Sequence, residues 1–281
     1  MCNWKSQWGE TVTDEAVIKV CVIGAAGRMG REVTKAVVQA DDLTLVAAVD
    51  VSHLGEDAAL LAGLPAAGVH IGKDLPAALG ASGAQVAVDF TAPDVVFDNI
   101  CCCLEQKVAT VVGTTGLSSA QLNEIAQRAE SACTPVLIAP NFAIGAVLMM
   151  LFAQQAAKYF DYAEIVELHH EKKLDAPSGT ALKTAQMISA AKGMPMISSN
   201  GEKTKITLAG VRGGVCDGVH VHSVRMPGFV ASQEVIFGAA GQTLTIRHDS
   251  ISRESFMPGV LLAIRKVREL KGLTVGLENI L

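Results

Sequence analysis

Two histidines and two lysines fall within five positions at His169-His170-Glu171-Lys172-Lys173, and the chain then runs Leu174-Asp175-Ala176-Pro177-Ser178-Gly179-Thr180-Ala181. Histidine can give or take a proton near neutral pH. Lysine supplies a compact positive charge, and burial makes its proton easier to donate. The Asp-Ala-Pro-Ser-Gly-Thr-Ala run reads as a turn entering a helix, whose first N–H groups, around Ser178 to Thr180, suit a carboxylate. These groups together fit an anionic substrate that must receive a proton. The plain alternative is a solvated basic loop ahead of an ordinary capped helix, and for a His-His pair alone it would be preferred. Pair, lysines and capped glycine turn in one stretch favour chemistry.

Such a loop needs a scaffold. Val17 to Ile23 is a β-branched apolar run suited to a buried central strand. Gly24-Ala25-Ala26-Gly27-Arg28-Met29-Gly30 follows at once, and then a helical pattern from Arg31 to Ala40. Strand, glycine turn and helix are the setting of a dinucleotide fingerprint, in which glycines let backbone approach a pyrophosphate and the helix start favours its charge. The spacing is G-x-x-G-x-x-G rather than G-x-G-x-x-G, and glycine turns also serve plain packing. Leu43 to Val49 strengthens the motif, because this second apolar strand ends on Asp50, about 20 residues on, where an acidic residue reaches ribose hydroxyls.

Ser52 to Gly83 is expected to hold a short helix and a strand near Val69-His70-Ile71. Strands are expected at Gln85 to Thr91, Val108 to Val112 and Pro135 to Ala139, and helices opening at Pro93 and spanning Ser118 to Ala132, with Ser118 or Ser119 as cap. Strands alternating with helices make an open parallel sheet, whose ligands sit beyond the carboxyl ends of the strands. The ends here are Phe90-Thr91, Gly113-Thr114-Thr115 and Asn141-Phe142. A long apolar helix is expected from Ile144 to Phe160, with Leu148, Leu151, Phe152 and Gln155 spaced as one face and Met149 and Met150 read as core.

Beyond a helix from Ala181 to Lys192 the periodicity changes. Lys205 to Val211, Val219 to Arg225, Gln233 to Gly238 and Thr243 to Asp249 read as strands, and with the strand before His169 they predict a mostly antiparallel sheet. The fold class is therefore α/β, a Rossmann-like parallel-sheet nucleotide domain with an α+β second domain. Helix returns from Val260 to Leu270. His220 and His222 share one strand face with no third ligand by spacing, so strand packing rather than metal binding is expected, and His248 has no assigned role.

The order His169-His170-x-x-Lys173-x-Asp175-Ala-Pro-Ser-Gly-Thr-Ala181 resembles the signature of the 4-hydroxy-tetrahydrodipicolinate reductase family, the dihydrodipicolinate reductases of lysine and diaminopimelate synthesis. Thirteen positions in order are far more specific than a glycine turn, and the resemblance covers nearly the whole chain from Val17. It implies hydride delivery from NADPH or NADH to an unsaturated cyclic dicarboxylate, giving tetrahydrodipicolinate. His169 would be proton donor or acceptor and Lys173 proton donor, and which of them gives the proton stays open. His170, Ser178, Gly179 and Thr180 would grip carboxylates, while Asp175 is read as orienting Lys173 or capping the turn. The cofactor would meet Gly24, Ala25, Ala26, Gly27, Arg28, Met29, Gly30, Asp50, Phe90, Thr91, Gly113, Thr114, Thr115, Ala139, Pro140, Asn141 and Phe142. Where the family often has a basic residue for the 2′-phosphate of NADP, this chain has Val51; after Phe90-Thr91, where the family often has another basic residue, it has Ala92, a departure that bears on adenine-side affinity more than on chemistry. Arg28, Arg31 or His53 could take that phosphate instead. The resemblance further implies a discontinuous nucleotide domain (17–142 with 250–281), a substrate and tetramerisation domain (143–249), and a homotetramer.

Composition narrows the classes. Half of the 281 residues are hydrophobic and 18% are charged, so one large or two modest domains with a sizeable core are expected. Aromatics at 4% and a net charge of −5 without a basic run argue against nucleic acid or an anionic membrane surface. No apolar run approaches the roughly 18 residues of a membrane span. Seven cysteines make an odd count with no Cys-x-x-Cys pair. Consecutive Cys101, Cys102 and Cys103 would point about 100° apart on a helix, so they read as small buried residues in a reducing compartment. Residues 1–16 lack the apolar core of a secretory signal; a disordered tail, a tag remnant and the stub of a transit peptide all fit. The expected location is the cytoplasm, or the plastid stroma for a processed plant or algal protein. Two rival functions are another nicotinamide-dependent dehydrogenase of amino-acid metabolism and a non-catalytic nucleotide sensor on the same fold. The thirteen-position order speaks against the first, and His169, Lys173 and the Gly179-Thr180 pair against the second.

Overall fold

The computed structural model describes residues 17–193, 196 and 205–281, so the tail at 1–16 lies outside the described residues. In chain order the elements are β1 (Ile18–Ile23), α1 (Arg28–Gln39), β2 (Leu43–Val49), α2 (Ala58–Leu61), β3 (Ile71–Gly72), α3 (Leu75–Ser82), β4 (Val86–Asp89), α4 (Val96–Glu105), β5 (Ala109–Val112), α5 (Ser119–Ser131), β6 (Val136–Ile138) and α6 (Ile144–Ala156). There follow β7 (Tyr162–His169), α7 (Gly179–Lys192), β8 (Gly214–Cys216), β9 (Val219–Arg225), β10 (Ala231–Ala239), β11 (Gln242–Ser250), α8 (Met257–Lys266) and β12 (Leu273–Val275).

Seven strands form one sheet in the order β12-β6-β5-β4-β1-β2-β3. Its core strands read as unbroken apolar runs because both faces are covered; Val20 to Ile23 and Val86 to Asp89 are buried throughout. Burying each Val or Ile contributes roughly 1.5–3 kcal/mol over leaving it in water. β1 pairs in parallel with β2 on one side and β4 on the other. Chain direction across the sheet reverses between them, and at such a switch point the carboxyl ends of the strands open a crevice. Five more strands form a second sheet in the order β11-β10-β7-β9-β8. Only β7 and β9 run parallel there, the other pairs being antiparallel, as the turn spacing predicted. The chain divides into two compact units, residues 1–110 with 117–134 and residues 111–116 with 135–281. No helix among the described residues is long and apolar enough to cross a membrane.

Three expectations are corrected. The strand predicted at Lys205 to Val211 is irregular and ends in turns, and the edge strand is β8 instead. Ile206, Leu208 and Val211 are exposed, and Gly210 and Gly213 take φ of +77° and +67°, which breaks extended pairing. In α6 the packed face is Ala146, Met149, Met150 and Ala153, whereas Phe152 and Gln155 face outward. Met149 and Met150 are core as expected; the packed face differs from the expected one because the helix is apolar nearly all round and its sequence marks no single stripe. Pro93 sits in the turn before α4 rather than inside it. The Ser118 cap is confirmed with a full capping box to Gln121. The described cysteines are free, and burial pushes the thiol of Cys21 up to about 12.

Candidate active site

The glycine turn after β1 is built as a cradle. Gly24 sits at φ +81°, and a Cβ there would lie 2.6 Å from the carbonyl oxygen of Phe90. A Cβ on Gly30 would lie 1.9 Å from the oxygen of Gly24, so α1 packs on the turn with no room for any side chain. Gly27 caps α1 without a side chain, leaving the first helical N–H groups with no intrahelical acceptor. Such a terminus suits a pyrophosphate. Gly30→Ala is therefore expected to cost roughly 1–3 kcal/mol of stability through overpacking and to weaken dinucleotide binding more than tenfold; thermal unfolding with and without NADH measures both.

Asp50 closes the cradle from β2. Its Oδ2 accepts from the N–H of Ala26 at 2.9 Å, and its Oδ1 accepts from both N–H and Oγ of Ser52 at 2.9 Å. Partial burial would raise its pKa, but these bonds outweigh that and hold it below the ordinary carboxylate value. The strand end at Phe90-Thr91 is fixed by fully buried Asp89, which accepts from the N–H and Oγ1 of Thr91 at 3.0 and 2.7 Å and from Asn99 Nδ2 at 2.8 Å. The predicted group from Gly24 to Gly30, Asp50, Phe90 and Thr91 thus comes together, with Asp89 and Asn99 as supports that the sequence did not disclose.

The other two strand ends lie in the second unit. Ala139 N–H donates to Val112 O at 2.9 Å, which draws the start of the Ala139-Phe142 segment to the end of β5, just before Gly113-Thr114-Thr115. Asn141 Oδ1 accepts from Ala143 N–H at the start of α6, and Asn141 Nδ2 donates to Thr180 Oγ1 at 3.3 Å. One side chain therefore joins a segment expected at the cofactor to the turn expected at the substrate.

That turn opens α7. Ser178 has extended backbone at φ −66°, ψ 152°, and its Oγ accepts from Ala181 N–H at 3.2 Å. Before it, Lys173 Nζ donates to Asp175 Oδ1 at 2.7 Å, and Lys173 N–H to His170 O at 3.2 Å. Asp175 orients Lys173.

The register of the second sheet assembles the rest. Glu167 on β7 faces Ser223 on β9 and Gln233 on β10, and Gln233 faces His248 on β11. One step along, His169 faces Arg225 and Ala231. Residues directly opposite share a face, as do residues two apart, so Ile165, Val221, Val235 and Phe237 continue that face as apolar core. A cavity at its polar end is lined by Asn141, His169, Ser178, Thr180, Gln233 and His248, among others. Lys173, His170 and Gly179 are not among its lining residues.

Charges and hydrogen bonds are specific there. Glu167 is fully buried, forks onto Arg225 at 2.7 and 2.8 Å, and is bonded to His169 Nδ1 through Oε2. Burial would raise its pKa, yet bonds from His169, Arg225 and Ser223 outweigh burial and hold the carboxyl down at about 2. Thr184 Oγ1 donates to Thr180 O at 2.7 Å, so it can only accept from Gln233 Nε2 at 2.8 Å. The amide orientation of Gln233 follows, and its Oε1 is left buried without a partner among the described residues. Burial lowers the pKa of His248, against the pull of Asp249. The His248 ring lies against Gly145 of α6, where a Cβ would come within 2.5 Å of it. His220 Nδ1 is bonded to Arg212 O at 2.8 Å and His222 Nε2 to Glu164 at 2.8 Å, and no group of three or more metal-ligating side chains forms among the described residues.

Models of the dihydrodipicolinate reductase N-terminus and C-terminus match residues 18–142 and 145–281. The chain belongs to the dihydrodipicolinate reductase family. It is 52% identical over 266 residues to the 4-hydroxy-tetrahydrodipicolinate reductase of Moorella thermoacetica, covering 95% of this chain and 98% of that one. Against the same enzyme of Gloeothece citriformis it is 52% identical over 277 residues, covering 96% and 100%. Among solved structures it is similar to dipicolinate-bound dihydrodipicolinate reductase from Paenisporosarcina sp. TG-14, with TM-score 0.85 and 44% identity over 94% of this chain and 100% of that one. Amine dehydrogenase from Mycobacterium smegmatis, at TM-score 0.63 and 14% identity over 92% of this chain and 94% of that one, shares the fold alone.

Family membership gives the glycine cradle its ligand class, NADH or NADPH, and the close approaches at Gly24 and Gly30 fit it. Beside Asp50, Val51 is 90% exposed, with no charge to offer a 2′-phosphate. His53 is engaged with Glu56 at 3.1 Å, and Arg31 Nε with Ala26 O at 2.8 Å. Val51→Arg is expected to tighten NADPH about tenfold or more relative to NADH, the worth of a charge-assisted bond; the ratio of the two KM values reads the change.

Proposed function

We propose that this chain reduces 4-hydroxy-tetrahydrodipicolinate to tetrahydrodipicolinate with NADPH or NADH, in the formation of lysine and diaminopimelate. The observation that carries the proposal is the convergence of His169 with the Ser178–Thr180 helix start in one cavity, on a chain about half identical to reductases of that name. Ser178, Gly179 and Thr180 offer the N–H groups of a helix start to one substrate carboxylate, and His170 and Lys173 add positive charge for binding. A bound nicotinamide supplies the hydride. His169 or Lys173 supplies the balancing proton, His169 being a residue that lines the cavity and Lys173 carrying an ammonium steered by Asp175. Asn141 and Thr180 hold each other in place, which orients the turn against the segment read as contacting the nicotinamide.

The same proposal takes residues 17–142 with 250–281 as the nucleotide domain and 143–249 as the substrate domain. It includes a homotetramer in the cytoplasm or a plastid stroma. Exposed apolar side chains on the second sheet, Val215 on β8 and Leu244 on β11, support assembly through that sheet. Light scattering tests the tetramer. The activity itself is tested by NADPH and NADH oxidation with substrate generated in place from pyruvate and aspartate semialdehyde by the preceding synthase. Substrate-dependent oxidation supports the reductase; nucleotide binding without oxidation would return the rival dehydrogenase or sensor to the fore.

A further inference from the structure

We infer that Glu167, held from behind by Arg225, is the positioning residue of the proton transfer, fixing His169 so that it exchanges protons with the substrate only through Nε2. The inference rests on the reading of His169 as a proton-transfer residue.

Three observations carry it. Glu167 has no exposed surface, and a buried carboxylate persists only when each oxygen is matched. Here Oε1 accepts from Arg225 Nη2, while Oε2 accepts from Arg225 Nη1 and meets His169 Nδ1. An ionised carboxylate can only accept, so Nδ1 must carry the hydrogen, and in the neutral ring Nε2 is the bare nitrogen. His169 lines the cavity, and with Nδ1 taken by Glu167 the ring nitrogen left to a ligand is Nε2.

Arg225 ties this arrangement to the substrate loop. Its Nη2 also donates to Asp175 O at 2.7 Å and its Nη1 to Val224 O at 2.7 Å. Asp175 in turn steers Lys173. One guanidinium therefore sets the carboxylate that orients His169 and the loop that carries Lys173, whereas an ion pair serving only to join β7 to β9 would engage neither. In the step itself, Nε2–H of the imidazolium gives its proton to the reduced substrate, the N–H electron pair stays on Nε2, and the ring returns to the neutral Nδ1–H form. Glu167 keeps its charge throughout and balances the imidazolium. The other titratable groups around His169 are His170, Lys173 and Asp175 on the loop that follows it and His248 on β11, which lines the same cavity.

The test compares Glu167→Gln with His169→Gln and adds the nitrogen spectrum of the wild-type histidines. His169→Gln is expected to lower kcat about a hundredfold or more, and Glu167→Gln about 10- to 100-fold, with the substrate KM of the latter changed less than threefold. The solvent deuterium isotope effect on kcat should rise in Glu167→Gln, since proton transfer becomes slower than the other steps. In the wild type, ¹⁵N correlation should show His169 protonated on Nδ1, and this needs no variant to fold. A wild-type ring protonated on Nε2 with Nδ1 bare overturns the inference, as does Glu167→Gln with kcat within twofold of wild type. Should His169→Gln itself keep full turnover, the proton-transfer reading of His169 falls and this inference with it. Loss in His169→Gln with none in Glu167→Gln removes the inference alone.

Discussion

Lys173→Ala is expected to lower kcat by about 10²–10⁴-fold while leaving NADH affinity within twofold of wild type. The side chain is held by Asp175 at 2.7 Å in a loop whose backbone carbonyl at 175 is itself bonded to Arg225. Removal therefore takes away a charge and, on the proposed reading, a proton source, while the glycine turn after β1 keeps its own residues and bonds. Lys173→Arg separates the two contributions. Arginine keeps the charge for the carboxylate but does not deprotonate, so KM should recover while kcat stays low if the lysine proton is used. Steady-state rates together with a calorimetric NADH titration decide the matter. Normal turnover in Lys173→Ala would sink the role given to this residue.

The second large effect is on stability. Arg225→Ala leaves Glu167 buried with only His169 and Ser223 as polar partners, and stranding one member of a buried pair costs about 3–5 kcal/mol. The sign with pH follows from the carboxyl. Its pKa falls from an ordinary 4.5 to about 2 in the folded wild type, so the bonded carboxylate stabilises the fold fully above pH 4.5. That stabilisation is lost as pH drops from 4.5 toward 2. A shift of this size is worth roughly 3 kcal/mol at about 1.4 kcal/mol per unit, in line with the cost of the broken pair. Denaturant unfolding should show the widest gap between wild type and Arg225→Ala at neutral pH, narrowing below about pH 4.5 as both forms come to hold a neutral Glu167. A gap that stays constant from pH 7 to 3 would mean that Glu167 is not the group left stranded.

Local chemistry was readable from the sequence because it is written in consecutive residues. The glycine turn between β1 and α1, Asp50 at the end of β2, and Ser118 and Ser178 as helix caps all depend on neighbours within a few positions. Glu167 was visible only as an acidic residue in a strand, because its burial depends on Arg225, 58 residues away. For the same reason neither Gln233 nor His248 carries a role that spacing alone discloses. Strand register brings them beside Glu167 and His169, and no spacing along the chain encodes which strands pair. Lys205 to Val211 failed in the opposite direction, since apolar residues alternating with polar ones imply a strand only where a partner strand offers its edge. The uniformly apolar α6 gave no stripe from which to choose its packed face.

The bond from Asn141 to Thr180 has a thermodynamic consequence. Ordering either residue restricts the other, so if Asn141 meets the nicotinamide and Thr180 a substrate carboxylate, as proposed, the two occupancies are linked. Whatever factor a bound nucleotide contributes to the affinity for dicarboxylate, the dicarboxylate must return to the nucleotide unchanged. Closing that four-sided cycle by calorimetry, once with wild type and once with Asn141→Ala, would give the free energy that a single amide carries between two ligands.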